Sequence, residues 1–234
     1  MIGKRIISFD KIDSTNDYAK KEITSLKHGD IILALEQSSG RGRYNRKWLS
    51  KKGNLYFSIV IKEKHPREHI FRFNIKTAVV LLETLKKYGL EAKIKYPNDI
   101  LIGKQKICGV LLESIGYEEL DALIIGVGIN VNQTDFEDYS LKASSIKLQT
   151  NSEIHLNDVL SEFLKVFNRH IDHKEDLKIY LDNSLILHRE IVIDNDRYII
   201  DTINEDGKII LKNSNRVIEK NYDEVSFTEI YDSI

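Results

Sequence analysis

Two runs of sequence constrain the fold more than anything else in the chain. Residues 107–114 (ICGVLLES) and 123–131 (LIIGVGINV) are apolar almost throughout and do not alternate polar with apolar. A strand with one wet face alternates, so runs like these predict strands covered on both faces, inside a sheet that carries helices. With 234 residues and 41% hydrophobic content, the chain can bury one full core and still supply a small second domain.

The remaining pattern fits such a sheet. Residues 1–9 read as a β-branched strand, and DSTN at Asp13 to Asn16 supplies caps for a helix reaching to about residue 25. Residues 31–37, 55–62 and 92–96 read as further strands. Helical spacing runs from about 67 to 88, where Gly89 stops it, and again over 155–173 and 176–187. From Glu190 the chain turns to short β-rich runs split by DND, EDG and NSN, with Asp206-Gly207 as a hairpin signal. The expected architecture is α+β: a main domain over residues 1–185, then a small barrel over 186–234. With only two prolines and no low-complexity tract, no linker marks that boundary.

Composition excludes several classes of partner. Thirty-five basic and 36 acidic side chains nearly cancel, so no long-range field gathers nucleic acid or an anionic membrane. A phosphate site must therefore be local. The single cysteine, Cys108, excludes an internal disulfide and a thiolate zinc cage and suits a reducing compartment, with cytoplasm the expected location. The N-terminal MIGKRIISFDKIDS has acids directly after a short apolar stretch and no cleavage pattern, and no later apolar run is long enough to span a bilayer.

Four polar motifs could carry chemistry. GRGRYNRKW at Gly40 to Trp48, followed by Lys51 and Lys52, is basic without an acid. Its glycines allow close backbone approach, while Arg41, Arg43 and Arg46 offer planar forks for phosphate or carboxylate. A solvated surface loop is the bland alternative, but a tryptophan set among the charges weighs against it. KYPND, Lys95 to Asp99, taken alone is an ordinary proline turn. KICGVLLE sets Lys106 at a strand end, where lysines commonly snorkel to water, and Cys108 has no neighbouring histidine to activate it, so it reads as a small buried filler. GVGIN, Gly126 to Asn130, fails as a dinucleotide fingerprint because the third glycine position is Val131, and no GxxxxGK[ST] loop exists. The seven histidines show no ligand spacing, and His155, His170 and His173 read as surface or packing residues on helices.

Taken together and in this order, STN, Gln37, GRGRYNRKW, KYPND, KICGVLLE and GVGIN resemble the catalytic domain of biotin protein ligases, also called biotin–[acetyl-CoA-carboxylase] ligases. The resemblance covers the chain to about residue 134, and more loosely the remainder, where the family carries a small SH3-like barrel. Members that double as repressors place a winged helix-turn-helix before this domain. Here the chain begins close to STN, so the expected form is monofunctional, without that DNA-binding domain.

The resemblance implies an ATP-dependent ligase that makes biotinyl-5′-adenylate from biotin and MgATP and passes biotin to a lysine of a carboxylase carrier domain. It places Ser14, Thr15, Asn16 and Gln37 around the ureido ring. Gly40, Arg41, Gly42 and Arg43 then form a loop that folds over the ligand and should be mobile when empty. Lys106, Gly109, Leu111, Gly126 and Gly128 complete the biotin slot. Arg43 and Lys106, with Lys95, are the expected catalytic cations. Arg43, Arg46, Trp48, Lys95, Asn98, Asp99 and Asn130 are the expected ATP contacts, with Mg²⁺ entering with ATP near Asp99 and Trp48 stacking on adenine. Two departures stand out: Tyr96 replaces the usual tryptophan of KWPND, and Asn45 replaces a glycine of GRGRxGR, where asparagine best tolerates positive φ.

Three rivals remain open at this level. A lipoate–protein ligase would need an apolar slot in place of a ureido-matched one. A catalytically silent biotin or nucleotide sensor would not need Arg43 and Lys106. A nucleic-acid-binding module would need more basic surface than one loop. Family members are often homodimers, and an edge strand of the main domain could serve for that.

Overall fold

The computed structural model describes residues 1–116, 119–136, 142–171 and 173–233. In chain order the strands are β1 (Ile6–Phe9), β2 (Ile31–Ala34), β3 (Leu55–Ile61), β4 (His65–Pro66), β5 (Lys93–Lys95), β6 (Asp99–Ile102), β7 (Gln105–Ile115), β8 (Glu119–Leu120), β9 (Ala122–Ile129), β10 (Glu190–Ile193), β11 (Asp196–Ile203), β12 (Ile209–Lys212) and β13 (Val217–Lys220). The helices are α1 (Thr15–Lys21), α2 (Ile70–Lys86), α3 (Ile146–Thr150), α4 (Leu156–Arg169), α5 (Asp176–Asp182) and α6 (Thr228–Ser233).

Seven strands form one mixed sheet in the order β1-β2-β3-β9-β7-β6-β5. Only β1 and β2 pair in parallel; every other neighbour is antiparallel. The central strands carry the expected continuous burial, complete along β3 and nearly so along β9. β7 departs from expectation. It is buried over 107–110 but only half-covered from Leu111 onward, and Leu111 itself lines an open cleft.

The sheet has two differently covered faces. α2, α4 and α5 pack on one, over a core that includes Phe57, Leu81, Ile125 and Phe163. The other carries α1 above a smaller cluster of Ala19, Leu26, Ile32, Val60 and Ile124. Because strand side chains alternate, Ile124, Gly126 and Gly128 on β9 share this second face. On β7, Glu113, Leu111 and Gly109 are their register partners. α1 has only seven residues, so it leaves the glycine end of that face uncovered.

Several expected boundaries move. β1 starts at Ile6, because the chain first turns at Gly3 (φ 85°). α1 ends at Lys21 and α5 at Asp182, both earlier than the spacing suggests. The short strand β6 after KYPND, and α3 and α6, carry no strong periodicity in the sequence.

The C-terminal turns fall where DND, EDG and NSN predict, giving an antiparallel sheet β10-β11-β12-β13. Among the described residues no pairing closes it into a barrel. Its apolar side, including Tyr198, Ile200 and Leu211, joins the main core without a break. No described helix is long and apolar enough to cross a membrane.

Candidate functional site

The uncovered glycine end of the sheet is the floor of a cleft of about 1450 Å³. Single small-ligand pockets run to about 1,000 Å³, so this one has room for two reactants side by side. Every residue that the family resemblance assigns to biotin or ATP lines it except Gly40, which lies behind the wall. There Gly40 O accepts from Trp48 N at 2.9 Å, and a side chain on Gly40 would meet Ser50 Oγ and Trp48 O.

One wall is a polar network around the start of α1. Ser14 caps the helix, its Oγ accepting from Asp17 N at 3.3 Å, so the capping reading of DSTN holds. Gln37 Oε1 accepts from Thr15 N at 2.8 Å and Thr15 Oγ1 at 3.2 Å, while Gln37 Nε2 donates to Ser50 Oγ at 2.9 Å. Asn16 is buried deeper. Ser58 Oγ lies 2.8 Å from Thr15 Oγ1 and 2.6 Å from Asn16 Oδ1, and Asn16 Nδ2 donates to Glu113 Oε2 at 2.8 Å. A Cβ on Gly126 would come within 2.4 Å of Asn16 Oδ1, so this glycine is what admits the asparagine.

Ser58 was invisible as a site residue because a single polar residue inside an apolar strand has no motif around it, while Glu113 closes KICGVLLE but was read only as part of a buried strand. Glu113 also takes Lys20 Nζ at 2.8 Å and Arg41 at 3.4 Å, and Arg41 pairs with Asp17 as well. Arg41 is thereby an anchor of the loop root, and Arg43, Arg46 and Lys47 line the cleft farther along the loop.

The Gly40–Trp48 segment folds as a small hairpin. Arg41 pairs with Lys47, Gly42 N donates to Arg46 O at 2.7 Å, and the tip is a single 3₁₀ turn over Arg43–Asn45. The left-handed backbone falls on Tyr44 (φ 56°, ψ 34°), one residue before Asn45, where it was expected. Tyrosine tolerates that region at a cost of about 1–2 kcal/mol.

Trp48 returns from the tip to lie on the floor. A Cβ on Gly109 would stand 2.6 Å, and one on Gly128 2.7 Å, from its ring atoms. These two glycines are register partners across β7 and β9, so together they make a flat bed for the indole. Among the described residues Trp48 Nε1 is buried without a partner, as is Asn130 Oδ1, whereas Asn130 Nδ2 donates to Ser144 O at 3.0 Å. Orphaned polar atoms in a cleft are groups a ligand would satisfy.

Of the cations that line this space, three are seated on aromatic rings. Lys106 Nζ lies 4.6 Å from the Trp48 ring, Arg43 4.4 Å from that of Tyr222, and Lys95 Nζ 4.5 Å from that of Tyr231. Lys106 Nζ also pairs with Asp99 Oδ1 at 2.6 Å. Asn98 is tied back to β7: its Nδ2 donates to Val110 O at 2.8 Å and its own O accepts from Val110 N at 2.9 Å.

The KYPND turn is fixed from behind. Asn74 on α2 and Tyr180 on α5 both donate to Pro97 O, and Tyr96 donates to Gly207 O of the C-terminal sheet. Thus the tyrosine that replaces the usual tryptophan finds a hydroxyl partner, and burial pushes its pKa upward. Cys108 is fully buried and burial likewise pushes its thiol up, which leaves it inert at neutral pH.

No motif read from the sequence marks the tail around Tyr222 to Asp232 as the part that closes the cleft. After β13 the chain folds back so that Tyr222, Phe227 and Tyr231 face Arg43, Tyr96 and Lys95. Tyr231 OH donates to Tyr96 O at 3.1 Å. Spaced aromatics in a short polar tail, YDEVSFTEIY, were the available signal.

Known proteins resemble this chain in sequence and in fold. Over 177 residues the chain is 32% identical to the bifunctional ligase/repressor BirA of Bacillus subtilis, covering 72% of this chain and 54% of that protein. It is 34% identical over 125 residues to a biotin–[acetyl-CoA-carboxylase] ligase of Paracoccus denitrificans, covering 52% of each. The chain thus spans about half the length of the curated relatives it matches. Among solved structures, a biotin protein ligase from Aquifex aeolicus in complex with biotin and ATP is similar over 96% of this chain and 98% of its own, with TM-score 0.78 and 26% identity. Residues 8–130, more than half of the 234 and including every motif that builds the cleft, match the biotin/lipoate A/B protein ligase family, and the chain belongs to that family.

Proposed function

We propose that this protein joins biotin to the α-phosphate of ATP, releasing pyrophosphate, and then passes biotin to the lysine of a carboxyl carrier domain. The observation that carries the reading is the convergence of Arg43, Lys95 and Lys106 on one cleft above a glycine floor. Two anions must meet there, and fixed cations offset both their repulsion and the charge that develops at phosphorus.

The Thr15, Asn16 and Gln37 network offers the donors and acceptors that a ureido ring requires, beside the apolar body of Leu111. Arg43 and Lys106 then hold the biotin carboxylate against the α-phosphate. Arg46 and Lys95 receive the departing phosphates. Trp48 offers its face to adenine, with Asn130 toward the phosphate or ribose.

Magnesium, bound with ATP, would neutralise phosphate charge. Asp99 is a hard oxygen donor 16% exposed in the cleft wall, which fits that ion, and Asn98 would support the same network. In the second step the carrier lysine attacks the mixed anhydride and expels AMP, and the Gly40–Trp48 loop, closed over the site, keeps water from that bond. No enzyme nucleophile takes part. The work belongs in a reducing cytoplasm, and the single local basic loop suits small anions over a polynucleotide.

Incubation with labelled biotin, MgATP and a carrier domain tests the proposal. Label on the carrier lysine, with equimolar pyrophosphate, is the expected result. Pyrophosphate release with lipoate and none with biotin would overturn the substrate assignment.

A further inference from the structure

Outside the cleft, the turn from α4 to α5 gathers two imidazoles and a carboxylate that the reaction above does not use. The sequence HIDHKED sets His170, His173 and Asp176 three residues apart. The turn folds them so that one ligand atom from each lies within 4.8 Å of the others. His170 is a buried packing residue and His173 a surface one, as their sequence context suggests, and the turn brings both onto one carboxylate.

Asp176 Oδ1 sits 2.6 Å from His170 Nδ1 and 2.8 Å from His173 Nδ1. The other oxygen of the same carboxylate, Oδ2, is buried without a partner among the described residues, on a side chain only 9% exposed. Each carboxylate oxygen has two lone pairs, so Oδ1 can accept from both imidazoles, and Oδ2 is left as a buried acceptor still to be satisfied. Convergence on one focus with an idle oxygen beside it is what a cation would complete.

The remaining contact points the same way. His170 is 2% exposed, and its far nitrogen, Nε2, lies 2.9 Å from Glu83 Oε1 on α2. A histidine that binds metal through one nitrogen commonly gives its other N–H to a carboxylate, which fixes the tautomer. His173 is 36% exposed, which opens the cluster to entry of an ion and to a water ligand.

We propose that His170, His173 and Asp176 form a zinc site, with Glu83 orienting His170, that clamps the α4–α5 turn to α2. Two imidazole nitrogens and one carboxylate oxygen are a donor set that zinc accepts in tetrahedral geometry, with water as fourth ligand. Ligand atoms around such an ion stand roughly 3.3 Å apart, so the two Nδ1–Oδ1 distances must open by about half an ångström. Rotation of the half-exposed His173 ring can supply much of that. The clamp bears on the cleft indirectly, because α5 also carries Tyr180, which holds Pro97 O at 2.9 Å.

The test uses the untagged full chain, stripped with chelator and titrated with Zn²⁺ against a chromophoric competitor. Variants H173Q, D176N and E83Q are compared with H155Q, a histidine outside the cluster. The expected result is one zinc per chain, unaffected by millimolar Mg²⁺. Affinity should fall about 100-fold or more in H173Q and about 10- to 100-fold in E83Q, and remain unchanged in H155Q. Cobalt substitution should give the visible absorption of a four-coordinate site in wild type and lose it in H173Q. Zinc at a hundredfold excess over its Kd should raise the Tm of wild type by about 5–10 °C and that of H173Q by much less. Absence of stoichiometric binding, or equal binding by wild type and H173Q, overturns the proposal.

Discussion

Lys106 Nζ lies 2.6 Å from Asp99 Oδ1, and the same ammonium rests 4.6 Å from the ring of Trp48. Carboxylate and indole together hold the cation at the cleft wall with less than a fifth of its side chain exposed. A cation fixed before the reactants arrive costs no reorganisation when charge develops. Lys106→Ala and Arg43→Ala should each slow adenylate formation by about 10²-fold or more, measured as biotin-dependent ATP–pyrophosphate exchange. Wild-type exchange in either variant removes that residue from the catalytic set.

Trp48 is the single tryptophan of the chain, so its emission reports the cleft alone. Its unpartnered Nε1 and its seat on Gly109 and Gly128 predict a change in intensity or wavelength when biotin and ATP are added. Gly128→Ala places a methyl 2.7 Å from the ring and must lift the indole. The variant should show altered emission without ligand and a raised KM for ATP. Emission identical to wild type in both states would mean that the indole does not use this bed.

Arg43 has its guanidinium 4.4 Å from the ring centre of Tyr222. Loss of such a contact near the surface is worth about 0.5–1 kcal/mol, so Tyr222→Ala should raise the KM for ATP by about two- to fivefold. Tyr222→Phe keeps the ring and should behave as wild type in steady-state assays. A drop with Phe equal to that with Ala would assign the effect to the hydroxyl.

Asp30 is paired with Arg5 and accepts from Lys27 N at 2.7 Å. Burial alone would push its carboxyl up, but the guanidinium and the amide outweigh it and hold the pKa below the ordinary value. A depressed carboxyl contributes stability in full above its unfolded pKa of about 3.9, and loses it as pH falls through the folded value. Wild-type Tm should therefore drop below about pH 4, and Asp30→Asn should lower Tm at pH 7 while flattening that acid limb. An Asn variant with an unchanged acid limb would place the dependence on other carboxylates.

Legibility in the sequence followed the range of the interactions. Strand β9 was readable because its burial on both faces is written into consecutive residues, and the DND, EDG and NSN turns because their chemistry is local. The cleft motifs were readable because glycine, arginine and asparagine in short order are rarely needed for packing alone. The extent of α1 and α5 was not, since no glycine or proline directly follows Lys21 or Asp182 to mark where those helices stop. Ser58 and Glu113 escaped notice because they reach the site across 42 and 97 residues of chain. The His170–His173–Asp176 cluster escaped because its spacing follows a turn and not one helix face.

Tyr222 and Tyr231 reach back from the far end of the chain to stand against Arg43 and Lys95. During synthesis, the floor and two cationic walls emerge from the ribosome long before the aromatic side that encloses them. Residues beyond 222 must be released before this chamber has all its walls, so a product clipped ahead of Tyr222 would leave the cleft open beside Arg43 and Lys95.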